Sequence, residues 1–230
     1  MSDRDERKRA AAEAAAALVE DGMAVGLGTG STAYFAIEAL IRRVREGLRI
    51  VAIPTSEVSA SHARDGGIPL TSFADHPRLA LTIDGADEIQ TGSLHLIKGL
   101  GGALLREKIV AAASDRLIIV ADAPKLVDRL GGTAPVPVEV VPFGWETTAV
   151  RLRRLDVEPA LRRDAAGQPF LTDGGNLILD CPFGPIADPV ALDQAISQTI
   201  GVVETGLFIG MASLALVATD SGIVELSRSG

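Results

Sequence analysis

Four short apolar runs, at residues 23–27, 49–53, 79–83 and 117–120, each end in a polar loop, and stretches of helical periodicity separate them. Apolar runs of this length between turn signals fit strands buried on both faces. Helices are expected at 4–19, 31–46, 58–65 and 102–114. The first is rich in alanine and stops at Asp21-Gly22; the third stops at Gly66-Gly67. Such alternation specifies an α/β fold, a mostly parallel Rossmann-like sheet with helices on both faces. Ligands of such sheets sit beyond the carboxyl ends of the strands. Four loops would then share one rim: Gly28-Thr29-Gly30-Ser31-Thr32, Thr55-Ser56-Glu57, Asp84-Gly85-Ala86-Asp87 and Asp122-Ala123-Pro124-Lys125.

The texture changes after Gly131-Gly132. Pro135, Pro137 and Pro142 punctuate 136–141, which reads as an edge-like strand. A helix follows at 146–155. Short strands at 169–171 and 176–180 flank Asp173-Gly174-Gly175, a hairpin signal. A helix at 189–196 and a strand at 202–207 complete a β-α-β-β-α-β order, the ferredoxin-like unit. Residues 133–204 are therefore expected to form a small α+β domain. Residues 1–132 and 205–230 would form the larger one, closed by a hairpin of 215–219 with 223–226.

Composition narrows the chemistry. A net charge of −8 and 3% aromatic residues argue against a nucleic-acid partner, which calls for a basic field and stacking rings. An anionic substrate must then find its positive charge locally. Cys181 is the single cysteine, so it reads as a buried free thiol. His62, His76 and His95 lack metal-ligand spacing. No apolar run is long enough to span a bilayer, and the N-terminal residues read as a helix and not a signal peptide. A soluble cytoplasmic protein is expected, with no membrane partner.

The chemistry-bearing residues are concentrated. Asp84 and Asp87 sit three apart across Gly85-Ala86, after a buried strand; close carboxylates raise at least one pKa, which suits proton shuttling. As a turn alone, Asp-Gly is ordinary. Lys98 stands in the glycine loop Lys98-Gly99-Leu100-Gly101-Gly102. The chain holds only four lysines against 18 arginines, yet places lysine at 98 and 125, both in loops. A compact ammonium fits a tight phosphate or enediolate site better than a wide guanidinium. Glu107, between Arg106 and Lys108, reads on its own as a solvated helix charge. Gly28 to Thr32 joins a strand to a helix, an arrangement that binds anions through backbone N–H groups. It lacks the third glycine of a dinucleotide loop and the Gly-Lys-Ser/Thr of a phosphate loop. Together these residues suit proton transfer on a small anionic substrate.

At these same positions the chain resembles the type A ribose-5-phosphate isomerases. The match extends through Arg106-Glu107-Lys108, Ala121-Asp122 with Lys125, Pro137-Val138-Glu139-Val140 and Asp173-Gly174-Gly175-Asn176. The resemblance implies interconversion of ribose 5-phosphate and ribulose 5-phosphate through an enediolate. Glu107 would be the proton-transferring base, with Asp84, Asp87 and Lys98 lining the sugar-reacting site. Thr29, Gly30, Ser31, Thr32, Gly85, Ala86, Gly99, Leu100, Gly101 and Lys125 would complete the substrate site. It further implies cofactor-free homodimers or homotetramers of the non-oxidative pentose phosphate pathway, with no metal. Leu100 departs from the Lys-Gly-Gly-Gly expected there, making the backbone less permissive. Two other classes stay open on the residues alone: a sugar-phosphate sensor with the same cleft but no chemistry, and an acyl-CoA transferase or nicotinamide dehydrogenase on a similar sheet.

Overall fold

The structure, a computed structural model, describes residues 3–228. Helix α1 (Asp3–Ala17) leads into β1 (Ala24–Leu27), α2 (Ser31–Arg45), β2 (Val51–Pro54), α3 (Glu57–Gly66) and β3 (Leu81–Asp84). Two short strands, β4 (Glu88–Gln90) and β5 (Leu96–Ile97), precede α4 (Leu104–Ala112), β6 (Leu117–Asp122) and β7 (Leu126–Val127). The second part holds β8 (Val136–Val140), α5 (Trp145–Leu152), β9 (Ala160–Leu161), β10 (Leu177–Cys181), α6 (Pro189–Ser197) and β11 (Val202–Thr205). The chain then closes with β12 (Leu207–Phe208), β13 (Ala212–Thr219) and β14 (Gly222–Leu226). No helix among the described residues is long and apolar enough to cross a membrane.

The central sheet runs β14-β13-β6-β3-β1-β2. Every neighbouring pair is parallel except β13–β14. This is the expected mostly parallel α/β sheet, and the expected closing hairpin extends it. After β1 the chain moves to β2 on one side, then returns to β3 on the other. That reversal makes the β1/β3 crevice the topological switch point, where ligands of such sheets bind. Alanine lets α1 lie low: Ala11, Ala12, Ala15 and Ala16 are buried in one core with Leu40 of α2 and Ile83 of β3. Helix α2 supplies the apolar stripe Ala33, Ala36, Ile37, Leu40 and Ile41, the i, i+3, i+4, i+7, i+8 pattern. On the opposite face, Ile89, Leu96, Ile119, Phe208 and Val217 form a second core.

The second sheet, β11-β8-β10-β9, is antiparallel throughout. Its order is that of the ferredoxin-like unit anticipated above. Three details differ from expectation. Strand β8 is not an edge; it lies between β10 and β11 and is wholly buried. Pro137 is tolerated there because the β11 ladder ends at Thr205↔Val138, so its missing N–H costs that ladder nothing, and its C=O still accepts from Gly206 N. Residues 169–171 form no strand: the partner of β10 is β9, and Pro169 makes only a lone bridge to Arg163. A tight turn, Gly175 N to Thr172 O, takes the place of the hairpin. Residues 202–207 are not one strand. Gly206 breaks them, and β12 leaves for a third small sheet, β12-β5-β4-β7, at the junction. A Cβ on Gly206 would lie 2.3 Å from Lys98 O and 2.7 Å from Pro137, so only glycine fits where the sheets meet.

Glu88 shows how a carboxylate beside the site can be purely architectural. It is fully buried. Its oxygens accept from the N–H groups of Gly131, Thr133 and Ala134 and from Thr133 Oγ1, at 2.5–2.8 Å. Charge-assisted bonds of this kind stabilise by about 1.5–3 kcal/mol, and stranding their donors costs more. Glu88→Ala is therefore expected to lower unfolding stability by about 3 kcal/mol, read from urea denaturation.

Candidate active site

Four local decisions in the chain bring the polar groups together. Strand β1 ends at Leu27, and Gly28 N donates to Ile83 O at 2.9 Å, seating the Gly28 loop against the end of β3. A Cβ at Gly28 would lie 2.2 Å from Asp84 Oδ1, so the absent side chain is what lets the two loops touch. Asp84, the last residue of β3, is fully buried, and its Oδ1 accepts from Thr29 N at 3.1 Å and Gly85 N at 2.7 Å. Lys98 follows β5 directly, and its N–H is held by Gly206 O. Glu107 lies in the first turn of α4 with its side chain turned inward.

These residues converge on one ammonium. Lys98 Nζ lies 3.1 Å from Asp84 Oδ2 and 3.3 Å from Glu107 Oε2, and donates to Gly85 O at 2.7 Å. Asp84 Oδ2 and Glu107 Oε2 are buried, and the Lys98 ammonium is the group both face. Burial alone would depress the Lys98 ammonium, but Asp84, Glu107 and Asp87 outweigh it and hold it above the ordinary lysine value. Burial pushes Glu107 up to about 8; Lys98 opposes the rise, while Asp84 and Asp87 add to it. Burial raises Asp84 too, against Lys98 and the two N–H donors. Two carboxylates beside one cation leave an excess negative charge. Asp84 has two backbone donors that favour its ionised form, whereas Glu107 faces Lys98 without such donors.

A cleft open to solvent lies above this cluster. Glu107, Lys98, Asp87 and Gly85 form its floor with Ala86, Gly99 and Gly101; Thr29, Gly30, Ser31, Thr32 and Lys125 line it from the rim loops. The structure thus gathers nearly all the residues singled out in the sequence. Asp84 is seated behind the floor. Leu100 does not line the cleft: its side chain points to solvent, and its N–H donates to Asp87 Oδ2 at 2.9 Å. Its φ is not left-handed, unlike that of Gly99 at +104°, so leucine sits there without strain. The Thr29 hydroxyl is committed to Thr55, Ser56 and Ser59 at 2.7–3.2 Å, which ties the first two strand-end loops together.

Two lining residues were not among the site residues expected from the sequence: Lys8, and Asp122, which was read only as part of a rim loop. Lys8 reaches the rim from α1 and donates to Ser31 Oγ at 2.8 Å. The scarcity of lysine was the available signal: three of the four, Lys8, Lys98 and Lys125, line this one cleft. The rim therefore carries two ammonium groups beside the N-terminus of α2, a local positive field in an acidic protein. Cys181 is a buried free thiol, and burial pushes it up to about 12. Among the described residues no group of three His, Cys, Asp or Glu side chains is placed to hold a metal ion.

The ribose 5-phosphate isomerase A (phosphoriboisomerase A) family matches residues 51–222 of this chain. Ribose-5-phosphate isomerase A of Gloeobacter violaceus is 61% identical over 227 residues, 99% of this chain and 98% of its own. That of a Synechococcus strain is 57% identical over the full length of both. Among solved structures, ribose 5-phosphate isomerase A from Methanocaldococcus jannaschii superposes with a TM-score of 0.94 at 36% identity, covering 98% of this chain and 100% of its own. A D-ribose-5-phosphate isomerase in complex with phospho-erythronic acid gives 0.94 at 35% identity, covering 99% and 100%.

Glu107 makes stability depend on pH with a definite sign. Its folded pKa, about 8, exceeds the ordinary 4.5, so the native state keeps a proton that the unfolded chain has lost. Stability from this group is intact below 4.5 and is lost as pH rises through 8. Unfolding measured from pH 5 to 9 is expected to show that decline, and Glu107→Gln is expected to flatten it. Gly28→Ala, which drives a methyl into Asp84, is expected to destabilise by about 1–3 kcal/mol on the same assay.

Proposed function

The chain belongs to the ribose 5-phosphate isomerase A family and is an isomerase, and we propose that it interconverts D-ribose 5-phosphate and D-ribulose 5-phosphate by proton transfer through an enediolate. The observation that carries this reading is the pair of buried carboxylate oxygens, Asp84 Oδ2 and Glu107 Oε2, that share Lys98 Nζ as their partner at the floor of a basic-rimmed cleft. The phosphate goes to the rim, against Lys8, Lys125 and the Gly30–Thr32 end of α2. That leaves C1 and C2 at the floor.

Ring opening moves a proton between sugar oxygens. Asp84, seated behind the floor, is our candidate, with Asp87 a carboxylate that lines the cleft itself. Ionised Glu107 then takes the proton from C2. The C–H electron pair becomes the C1=C2 bond of the enediolate, and the negative charge settles on oxygen, where Lys98 stabilises it. Glu107 returns the proton to C1, the O2 proton passes to the O1 oxyanion as C2=O forms, and the ketose results. A phosphorylated aldonic acid such as phospho-erythronic acid carries a carboxylate where the enediolate carries its charge. Its complex with a relative that superposes on this chain at a TM-score of 0.94 fits this reading. We place the enzyme in the non-oxidative pentose phosphate pathway, in the cytoplasm, as a homodimer or homotetramer.

Glu107→Gln is expected to cut kcat by about 10²–10⁴ while sugar-phosphate binding survives, with deuterium exchange from solvent into C1 or C2 lost in parallel. Near-normal turnover in that variant would exclude Glu107 as the base. Because the base must be ionised, kcat/KM is expected to climb with pH through an apparent pKa near 8 and level off above it. Unphosphorylated ribose is expected to be a far poorer substrate, and Lys125→Ala to raise KM for the phosphate more than it lowers kcat; equal efficiency on both sugars would refute the phosphate assignment.

A further inference from the structure

The loop that follows Lys98 is gripped from the second sheet. Arg162, just after β9, is buried except for about an eighth of its side chain. Its Nε and one terminal nitrogen engage the Asp180 carboxylate of β10, with Nε to Oδ2 at 2.9 Å. The other terminal nitrogen donates to Gly99 O at 2.8 Å and Leu100 O at 3.1 Å. The same strand–loop segment applies a second contact. Phe170, whose N–H donates to Arg162 O, lays its ring over Gly102, where a Cβ would lie 2.4 Å from the ring. From the opposite side Asp87 takes the N–H of Leu100. The residues between Lys98 and α4 thus have their carbonyls and their amides fastened by different parts of the molecule.

We propose that Arg162 is a positioning residue for the isomerisation: its guanidinium, braced by Asp180, clamps the carbonyls of Gly99 and Leu100 and so holds Lys98 between Asp84 and Glu107. Arginine suits the task because its planar fork binds a carboxylate on one edge and still presents N–H groups on the other, and lysine cannot do both. The clamp gives the second sheet a task in the chemistry, although no atom of that sheet lines the cleft. This inference rests on the reading of Glu107 and Lys98 given above. Failure of that reading shows separately, as turnover that survives Glu107→Gln in the otherwise native enzyme.

The test uses the full chain with Arg162→Ala, Arg162→Lys and, as a control on an exposed ion pair of the same region, Arg153→Ala. A displaced loop is expected to lower kcat about tenfold to a hundredfold, with KM changed by less than about threefold. It is also expected to move the rising limb of kcat/KM to higher pH, because Lys98 is what holds the Glu107 pKa down. Arg162→Lys should fall between the alanine variant and the native enzyme, and Arg153→Ala should match the native enzyme. A merely structural arginine would lower the melting temperature and leave the limb in place. Folded variants whose kcat stays within about twofold of native, or whose kcat falls with no movement of the limb, overturn the proposal. Should the alanine variant fail to fold, the lysine variant decides by the same two readings.

Discussion

One buried ammonium organises this protein. Lys98 is almost wholly removed from water and faces two carboxylates that are themselves buried. Taking these charges out of solvent costs several kcal/mol per ion, and their mutual attraction offsets that only with good geometry and further hydrogen bonds. Asp84 has those bonds, from Thr29 and Gly85. Glu107 has Lys98 beside it instead, and burial raises its pKa. A buried acid that relies on one shared cation is a poor way to stabilise a fold. It is a good way to hold a proton acceptor ready for a carbon acid.

The helix carrying Glu107 is fixed by its neighbours in sequence. Arg106 and Lys108 diverge from Glu107 by the helical rotation per residue, and each finds acids on other elements. Arg106 reaches Glu57 of α3 and Asp173, whose Oδ2 also accepts Glu57 N at the first residue of that helix. Lys108 reaches Glu204 and the carbonyl of Thr205. Lys98 Nζ and Lys108 Nζ lie 5.5 and 4.9 Å from the centroid of the buried Phe208 ring, so both cations are within cation–π reach of it. These ties cross between the sheets. The second sheet therefore braces the loop and the helix that flank the cleft floor without entering it.

How much of this could be read from the chain follows from how local each signal is. Strand-end loops and helix periodicity depend on residues a few positions apart, so the central sheet and its loops were legible. The β-α-β-β-α-β order was legible too, but its second strand lies at 160–161 and not at 169–171, and no hairpin stands at Asp173-Gly174-Gly175. The short strands β4, β5, β7 and β12 were not legible, since two or three residues carry no period and exist only through pairing. The role of Glu88 was hidden for a similar reason. Its partners, Gly131, Thr133 and Ala134, lie more than forty residues away. Lys8 is 23 residues from Ser31 and announces itself only through the rarity of its type.

The sequence by itself determined which side chains were available: a lysine in a glycine loop, aspartates at a strand end, a glutamate early in a helix, and glycines where backbones would have to meet. It also determined the alternation that obliges strand ends to face one way. Whether Glu107 pointed into the cleft or out to water was decided only by tertiary packing. One turn of helix offers both directions, and the surroundings that raise its pKa are assembled from β3, β5 and the loops after them. Charge state depends on desolvation and on neighbours within a few ångströms, and those quantities exist only once remote segments have closed around the group.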